Sequence, residues 1–149
     1  MTKCFFPGSF DPFTKGHESI VYKALEIFDQ VVVGIGVNSQ KNYLFSLEKR
    51  TNHIRSLFKN RVTVVSYDGL TIHACQNNNC THIIRGLRDS KDFEYEKTIA
   101  FMNKDLSNLE TLFFIADKEF SNLTSSILRE LYNNGADISD YVTNLNKLN

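Results

Sequence analysis

Residues 31–37 read Val-Val-Val-Gly-Ile-Gly-Val, an apolar run rich in β-branched side chains with no polar interruption. A strand with one wet face alternates apolar and polar residues, whereas an unbroken run marks a strand covered on both faces. Such a strand needs layers above and below it, and the rest of the chain supplies them. Lys3 to Phe6 is a short apolar run stopped by Pro7-Gly8, and from Gly16 to Phe28 the residues Ile20, Val21, Ala24, Leu25 and Phe28 recur at helical spacing. Ser46 is placed to cap a helix running through Phe58, with Glu48 in its first turn. Val62 to Tyr67 reads as a third strand and Thr71 to Gln76 as a short helix. After the turn Asn77-Asn78-Asn79, Thr81 to Ile84 reads as a fourth strand. Phe93 to Leu106 follows as a helix with Phe93, Ile99, Phe101, Met102 and Leu106 as its apolar positions. Thr111 to Ala116 is a fifth strand, and Ser125 to Asn133 a last helix ended by Gly135. This alternation predicts an α/β fold, a doubly wound five-stranded parallel sheet, in one domain spanning residues 1–149. Residues 134–149 are expected to form a polar tail, helical or loose.

With 149 residues the chain suits one domain with a sizeable core. Its 17 basic and 17 acidic side chains balance, which argues against a nucleic-acid-coating protein, so any anion must be held by a few placed cations. Cys4, Cys75 and Cys80 include no C-x-x-C pair and read as buried thiols of a reducing compartment; no metal site is expected from them. No stretch approaches the apolar run that crosses a bilayer, and a soluble cytoplasmic protein is the expectation.

In doubly wound sheets ligands sit outside the carboxyl ends of the strands, near a topological switch point. Four clusters fall there. The first, Pro7-Gly8-Ser9-Phe10-Asp11-Pro12-Phe13-Thr14-Lys15-Gly16-His17, joins strand one to helix one. Glycines admit a close ligand and a helix start offers N–H groups to an anion. It is neither a Walker A loop nor G-x-G-x-x-G. His17, in the first helical turn, is placed to donate to a phosphoryl oxygen; alone it would read as a surface or capping histidine, and Ser9 as a turn former. The second cluster, Asn38 to Asn42, contains Lys41, a point charge for a phosphate or a solvated loop residue. The third, Arg85-Gly86-Leu87-Arg88, pairs two guanidinium forks around a glycine after strand four. The fourth, Phe120 to Ser126, offers three successive hydroxyls, more than the one an N-cap uses.

Thr14-Lys15-Gly16-His17 resembles the first signature of the nucleotidylyltransferase superfamily, and the hydroxyl-rich stretch before Ile127-Leu128-Arg129 resembles its second. More narrowly, Pro7-Gly8-Ser9-Phe10-Asp11-Pro12, Arg85-Gly86-Leu87-Arg88 and Asp92-Phe93-Glu94-Tyr95-Glu96 resemble the phosphopantetheine adenylyltransferase family of coenzyme A biosynthesis. The likeness runs from about Lys3 to Asn133. It implies a Rossmann-like nucleotidylyltransferase fold and transfer of AMP from ATP to 4′-phosphopantetheine, giving dephospho-coenzyme A and pyrophosphate. Magnesium bound mainly through the ATP phosphates, a homohexamer and feedback inhibition by coenzyme A are implied as well, with neither nucleic acid nor membrane as partner. Residue by residue, it implies that His17 steadies the α-phosphate in the transition state. Ser9 touches both substrates, and Phe10 meets ATP through its backbone. Lys41, Thr71 and Arg85 hold the phosphopantetheine. Gly86, Leu87, Arg88, Glu96 and the run Phe120, Ser121, Asn122, Leu123, Thr124, Ser125, Ser126 line the ATP site.

This chain departs from that pattern at four places. Phe120 stands where the family mostly has tryptophan, Thr124 where serine is commoner, Asn42-Tyr43 replace a proline-containing loop, and the tail is rich in asparagine. Two other readings share these motifs: a sibling enzyme with another phosphorylated acceptor, and a module that senses nucleotide without turning it over. An acceptor that is already a phosphate anion needs no activating base. The expected chemistry is therefore direct in-line attack, with catalysis resting on positioning and charge stabilisation.

Overall fold

The computed structural model describes residues 1–149. Five strands, β1 (Lys3–Gly8), β2 (Gln30–Gly36), β3 (Val62–Tyr67), β4 (His82–Leu87) and β5 (Glu110–Ile115), pair in parallel in the order β3-β2-β1-β4-β5. The helices between them are α1 (Lys15–Leu25), α2 (Leu47–Leu57), α3 (Thr71–Asn77) and α4 (Ser90–Ser107), followed by α5 (Ser125–Asn133). The expected doubly wound sheet is therefore present, with its strand order reversing beside β1.

Successive β2 residues feed opposite cores. Val31, Val33 and Ile35 join Ile20, Val21 and Ala24 of α1 and Ile54 of α2 on one face, while Val32 joins Phe5, Ile83 and Ile72, Ala74 and Cys75 of α3 on the other. This is the physical reason that the run lacks a polar alternation. The caps act as read: Ser46 Oγ accepts from Lys49 N, and Thr124 Oγ1 from Ile127 N. Gly135 adopts φ 83°, so its own N–H reaches Tyr132 O and that of Ala136 reaches Leu131 O, closing α5 in a Schellman motif.

Two expectations need correction. Arg85, Gly86 and Leu87 lie inside β4, not beyond it, because they pair with Phe113, Phe114 and Ile115 of β5. On its other side β4 pairs with β1 only at Cys4–His82 and Phe5–Ile83. Pro7 has no N–H to continue that ladder, so the sheet splits between β1 and β4 at its carboxyl edge. The tail is neither helical nor loose. Apart from a 3-10 turn at Leu145–Leu148 it follows bends and turns, and Ile138, Val142 and Leu148 are buried with Phe45 and Leu128 in a third core. Ile138, Val142 and Leu148, with Leu145 packed against them, anchor a segment that is otherwise mostly polar.

The apolar positions of α4 remain largely uncovered: Phe101, Met102 and Leu106 are 64%, 59% and 68% exposed, and the only buried residue of this helix is Glu96. Ile115, at the end of the edge strand β5, is 75% exposed. No helix is long and apolar enough to cross a membrane. The three cysteines are buried and unpaired, and burial pushes the Cys4 thiol up to about 12.

Candidate active site

Two cavities meet where the sheet splits. The first, about 470 Å³, is bordered by α3, α4 and the Lys41 loop and includes Thr71, Tyr43, Tyr67 and Asn103. The second, about 360 Å³, is bordered by the first turns of α1 and α5 and includes His17, Gly86, Arg88 and Phe120. Pro7, Gly8, Ser9, Lys41, Arg85 and Glu96 line both and form the shared wall.

Gly8 lets the chain turn back at the end of β1, because a Cβ there would lie 2.7 Å from the Phe10 ring. That ring packs edge-on against His17 at 5.1 Å, with Phe6 and Phe13 closing around the imidazole. His17 Nδ1 accepts from the Thr14 backbone N–H at 3.0 Å, and Thr14 Oγ1 accepts from His17 N. A backbone N–H can only donate, so the ring proton sits on Nε2, leaving that N–H for a ligand. Burial, then the charges of Arg85 and Arg88, push the His17 pKa down to about 3, so the ring is neutral at physiological pH. The capping role and the site role, alternatives in the sequence, coexist in one side chain: one nitrogen caps α1 and the other remains a donor.

Arg85 spans the split. Its Nη1 donates to Pro7 O at 2.7 Å, while Nε and Nη2 donate to Glu96 Oε2 and Oε1 at 2.9 and 2.7 Å. The guanidinium is thereby fixed as a plane at the common wall. Arg88 donates through Nε and Nη2 to Asp92, which holds the Asp92 carboxyl below the usual carboxylate range. Lys41 Nζ reaches Ser9 Oγ at 3.2 Å, bringing the β2 loop over the β1 loop. Among the hydroxyls, Thr124 is the cap, Ser125 Oγ donates to Pro12 O, and Ser126 Oγ accepts from Arg129 Nη2.

His17, Lys41, Arg85 and Arg88, far apart in the chain, thus converge on one cavity. Phe10, Gly86, Glu96, Phe120, Leu123, Thr124, Ser125 and Ser126 join them there, and Thr71 lines the other cavity, its Oγ1 3.0 Å from Tyr67 OH. Leu87, Ser121 and Asn122 do not reach the wall. Leu87 accepts from Ala116 N through its carbonyl at the end of β4, Ser121 Oγ turns back onto Lys118 O, and Asn122 is exposed.

Several wall residues were not singled out in the sequence. Arg129 lines the second cavity and donates to Asp11 O at 2.9 Å; its position three residues after Ser126, on the same helix face, was the available signal. Asp92 stood in the sequence only as the first residue of the Asp92-Phe93-Glu94-Tyr95-Glu96 block, with no role of its own; its place four residues after Arg88 was the signal for the ion pair. Behind the wall, Arg50 is buried, stacks 4.1 Å over Tyr43 and donates to Ser9 O, while Asp11 accepts from Leu44 N and Phe45 N. Nothing in the local sequence marks these as loop anchors.

The fold and this paired, cation-rimmed site define a nucleotidylyltransferase-type domain, and the cytidylyltransferase-like family matches residues 5–131. The fold is shared with a bifunctional NMN adenylyltransferase/ADP ribose pyrophosphatase from Francisella tularensis, solved with AMP and a manganese ion (TM-score 0.68, 19% identity). The match takes in 95% of this chain and 44% of that longer one. It is also shared with nicotinic acid mononucleotide adenylyltransferase of Plasmodium falciparum (TM-score 0.64, 16% identity, 97% and 91% covered). Sequence relatives are nearer. Phosphopantetheine adenylyltransferase of Flavobacterium psychrophilum is 46% identical, with 93% of each chain covered, and that of Bacteroides thetaiotaomicron 46% identical, with 95% of each covered. The chain belongs to the phosphopantetheine adenylyltransferase family.

Proposed function

We propose that this chain transfers AMP from ATP to 4′-phosphopantetheine, forming dephospho-coenzyme A and pyrophosphate. The observation that carries this reading is the pair of cavities sharing Ser9, Lys41 and Arg85. Two anions can sit there on either side of one cationic wall with their reacting atoms adjacent. The acceptor's arm occupies the cavity with Thr71, and its phosphate lies between Lys41 and the Arg85 plane. ATP occupies the second cavity, near Gly86, Phe120 and the Thr124–Ser126 hydroxyls, with Arg88 and Arg129 toward the phosphates.

An acceptor phosphate oxygen attacks the α-phosphorus in line, and the bond from that phosphorus to the bridging oxygen breaks. Pyrophosphate leaves with the electron pair, and no proton need move. Neutral His17 donates from Nε2 as negative charge builds on the α-phosphoryl oxygens, and Lys41 and Arg85 align the attacker. Magnesium fits as a passenger of the triphosphate, because every carboxylate of the second cavity is engaged: Asp92 with Arg88, Glu96 with Arg85, Asp11 with the Leu44 and Phe45 amides. No cluster of three or more metal-ligating side chains stands nearby. When bound, the ion neutralises charge on the phosphate oxygens.

Coenzyme A carries the same pantetheine arm and an adenylate, so it competes for these cavities as a feedback inhibitor. The exposed apolar strip of α4 and Ile115 supports assembly into a homohexamer, and the three free thiols suit the cytoplasm. The test is pyrophosphate release with ATP or CTP against a panel of phosphorylated acceptors. Release with ATP and 4′-phosphopantetheine is expected; release only with nicotinate mononucleotide or a phospho-alcohol would replace the acceptor. ATP binding without release under any pairing would make the chain a sensor.

A further inference from the structure

The segment from Ala136 to Asn149 plays no part in the chemistry above, yet it touches α1, α5 and the end of the loop that carries Lys41. Its buried side chains Ile138, Val142 and Leu148 pack with Leu128 of α5 and with Phe45, which ends the Lys41 loop. Its backbone and side chains also reach the first turn of α1. Tyr141 O accepts from Lys15 N at 2.9 Å, so the tail satisfies a helix-start N–H that has no partner within α1. Thr143 Oγ1 donates to Glu18 Oε2 at 2.8 Å. Thr143 is itself held from α2, since His53 Nε2 donates to Thr143 O at 2.7 Å and Asn144 Nδ2 donates to Ser56 Oγ at 3.3 Å. His17 lies between Lys15 and Glu18, the two residues gripped.

We infer that the tail is a strut that sets the orientation of His17, with Thr143 as its positioning residue acting through Glu18. This rests on the role given to His17 above. The geometry is specific to orientation. The Thr14 cap holds the imidazole to α1, and the tail bonds hold that turn of α1 to α2, which starts from the acceptor-side loop. Losing the Thr143–Glu18 bond therefore lets the donor drift relative to the phosphates, while Ile138, Val142 and Leu148 still pack on Leu128 and Phe45 and hold α5 and the Lys41 loop in place.

The experiment compares Thr143→Val, Thr143→Ser, Glu18→Ala and the double variant Thr143→Val/Glu18→Ala in the whole protein. Steady-state kinetics for both substrates are measured with amide hydrogen exchange over residues 13–20 without substrates. Expected for Thr143→Val is a kcat about tenfold lower, with both KM values within about twofold, as for a misplaced catalytic group. Exchange in the first turn of α1 should accelerate. Thr143→Ser, which keeps the hydroxyl, should restore both readouts, and the double variant should match the singles because one bond links them. Should Thr143→Val not fold, Glu18→Ala carries the same comparison. A wild-type kcat in Thr143→Val or in Glu18→Ala overturns the strut. So does a loss that Thr143→Ser fails to restore, or additive losses in the double variant. If instead His17→Ala keeps normal turnover, the role of His17 itself has failed, and the exchange data alone then report whether the tail orders α1.

Discussion

His17 caps α1 through Nδ1 and keeps its ring proton on Nε2, and this division of labour has consequences that can be measured. Removing the Nε2 donor in His17→Ala should raise the barrier by about 3 kcal/mol, lowering kcat by about a hundredfold or more with small changes in substrate binding. Near-normal turnover would remove His17 from the mechanism. Because the folded ring titrates at about 3 and an unfolded histidine at about 6.5, the unfolded chain binds the extra proton between those values. Its contribution to stability is thus complete above pH 6.5 and is lost as pH falls from there toward 3. Denaturant unfolding at a series of pH values should therefore show a shallower acid slope for His17→Asn than for the parent; an identical slope would contradict the burial argument. At the wall, Glu96 anchors both edges of the Arg85 fork. Glu96→Ala should raise the KM of the phosphorylated acceptor by about tenfold through lost pre-organisation of Arg85. An unchanged acceptor KM would show that the fork holds its place without that anchor.

At the scale of elements, the helices and strands with strong local signals were legible. The bounds of β3 and α5 follow from a stretch rich in β-branched residues and from hydroxyl and glycine caps, features written into adjacent residues. The extent of β4 was not, because Arg85-Gly86-Leu87 has no strand-like composition and is held extended by β5 alone. The tail misleads for a related reason: Ile138, Val142, Leu145 and Leu148 recur at helical spacing, yet only Leu145–Leu148 coils, because packing against Leu128 and Phe45 sets the rest of its path. Where the cap is local, its cost is predictable. Gly135 has φ 83°, so Gly135→Ala should destabilise the fold by about 1–2 kcal/mol in urea unfolding. No loss would show that α5 can end without that turn.

At the scale of the whole molecule, Phe101, Met102 and Leu106 of α4 and Ile115 of β5 are large apolar side chains left more than half exposed, as at a surface that meets another copy. Sedimentation should find a hexamer for the parent chain, and Phe101→Glu/Ile115→Glu should shift it to smaller species while leaving the far-ultraviolet spectrum unchanged. A monomeric parent would assign the strip to some other use. The sequence by itself determined the alternation of elements, the burial of β2 on both faces, most caps, and which motifs bring cationic and hydroxyl side chains to the strand ends. These are local matters, settled by residues within a turn or two of one another. Only the tertiary structure decided that Arg85 bridges the split beside Pro7, that Arg129 and Asp92 line the second cavity, and that the tail grips α1. Those contacts join residues up to 125 positions apart, as in Thr143 with Glu18. They follow from the β3-β2-β1-β4-β5 order, which depends on how the two cores pack together and not on any single stretch of chain.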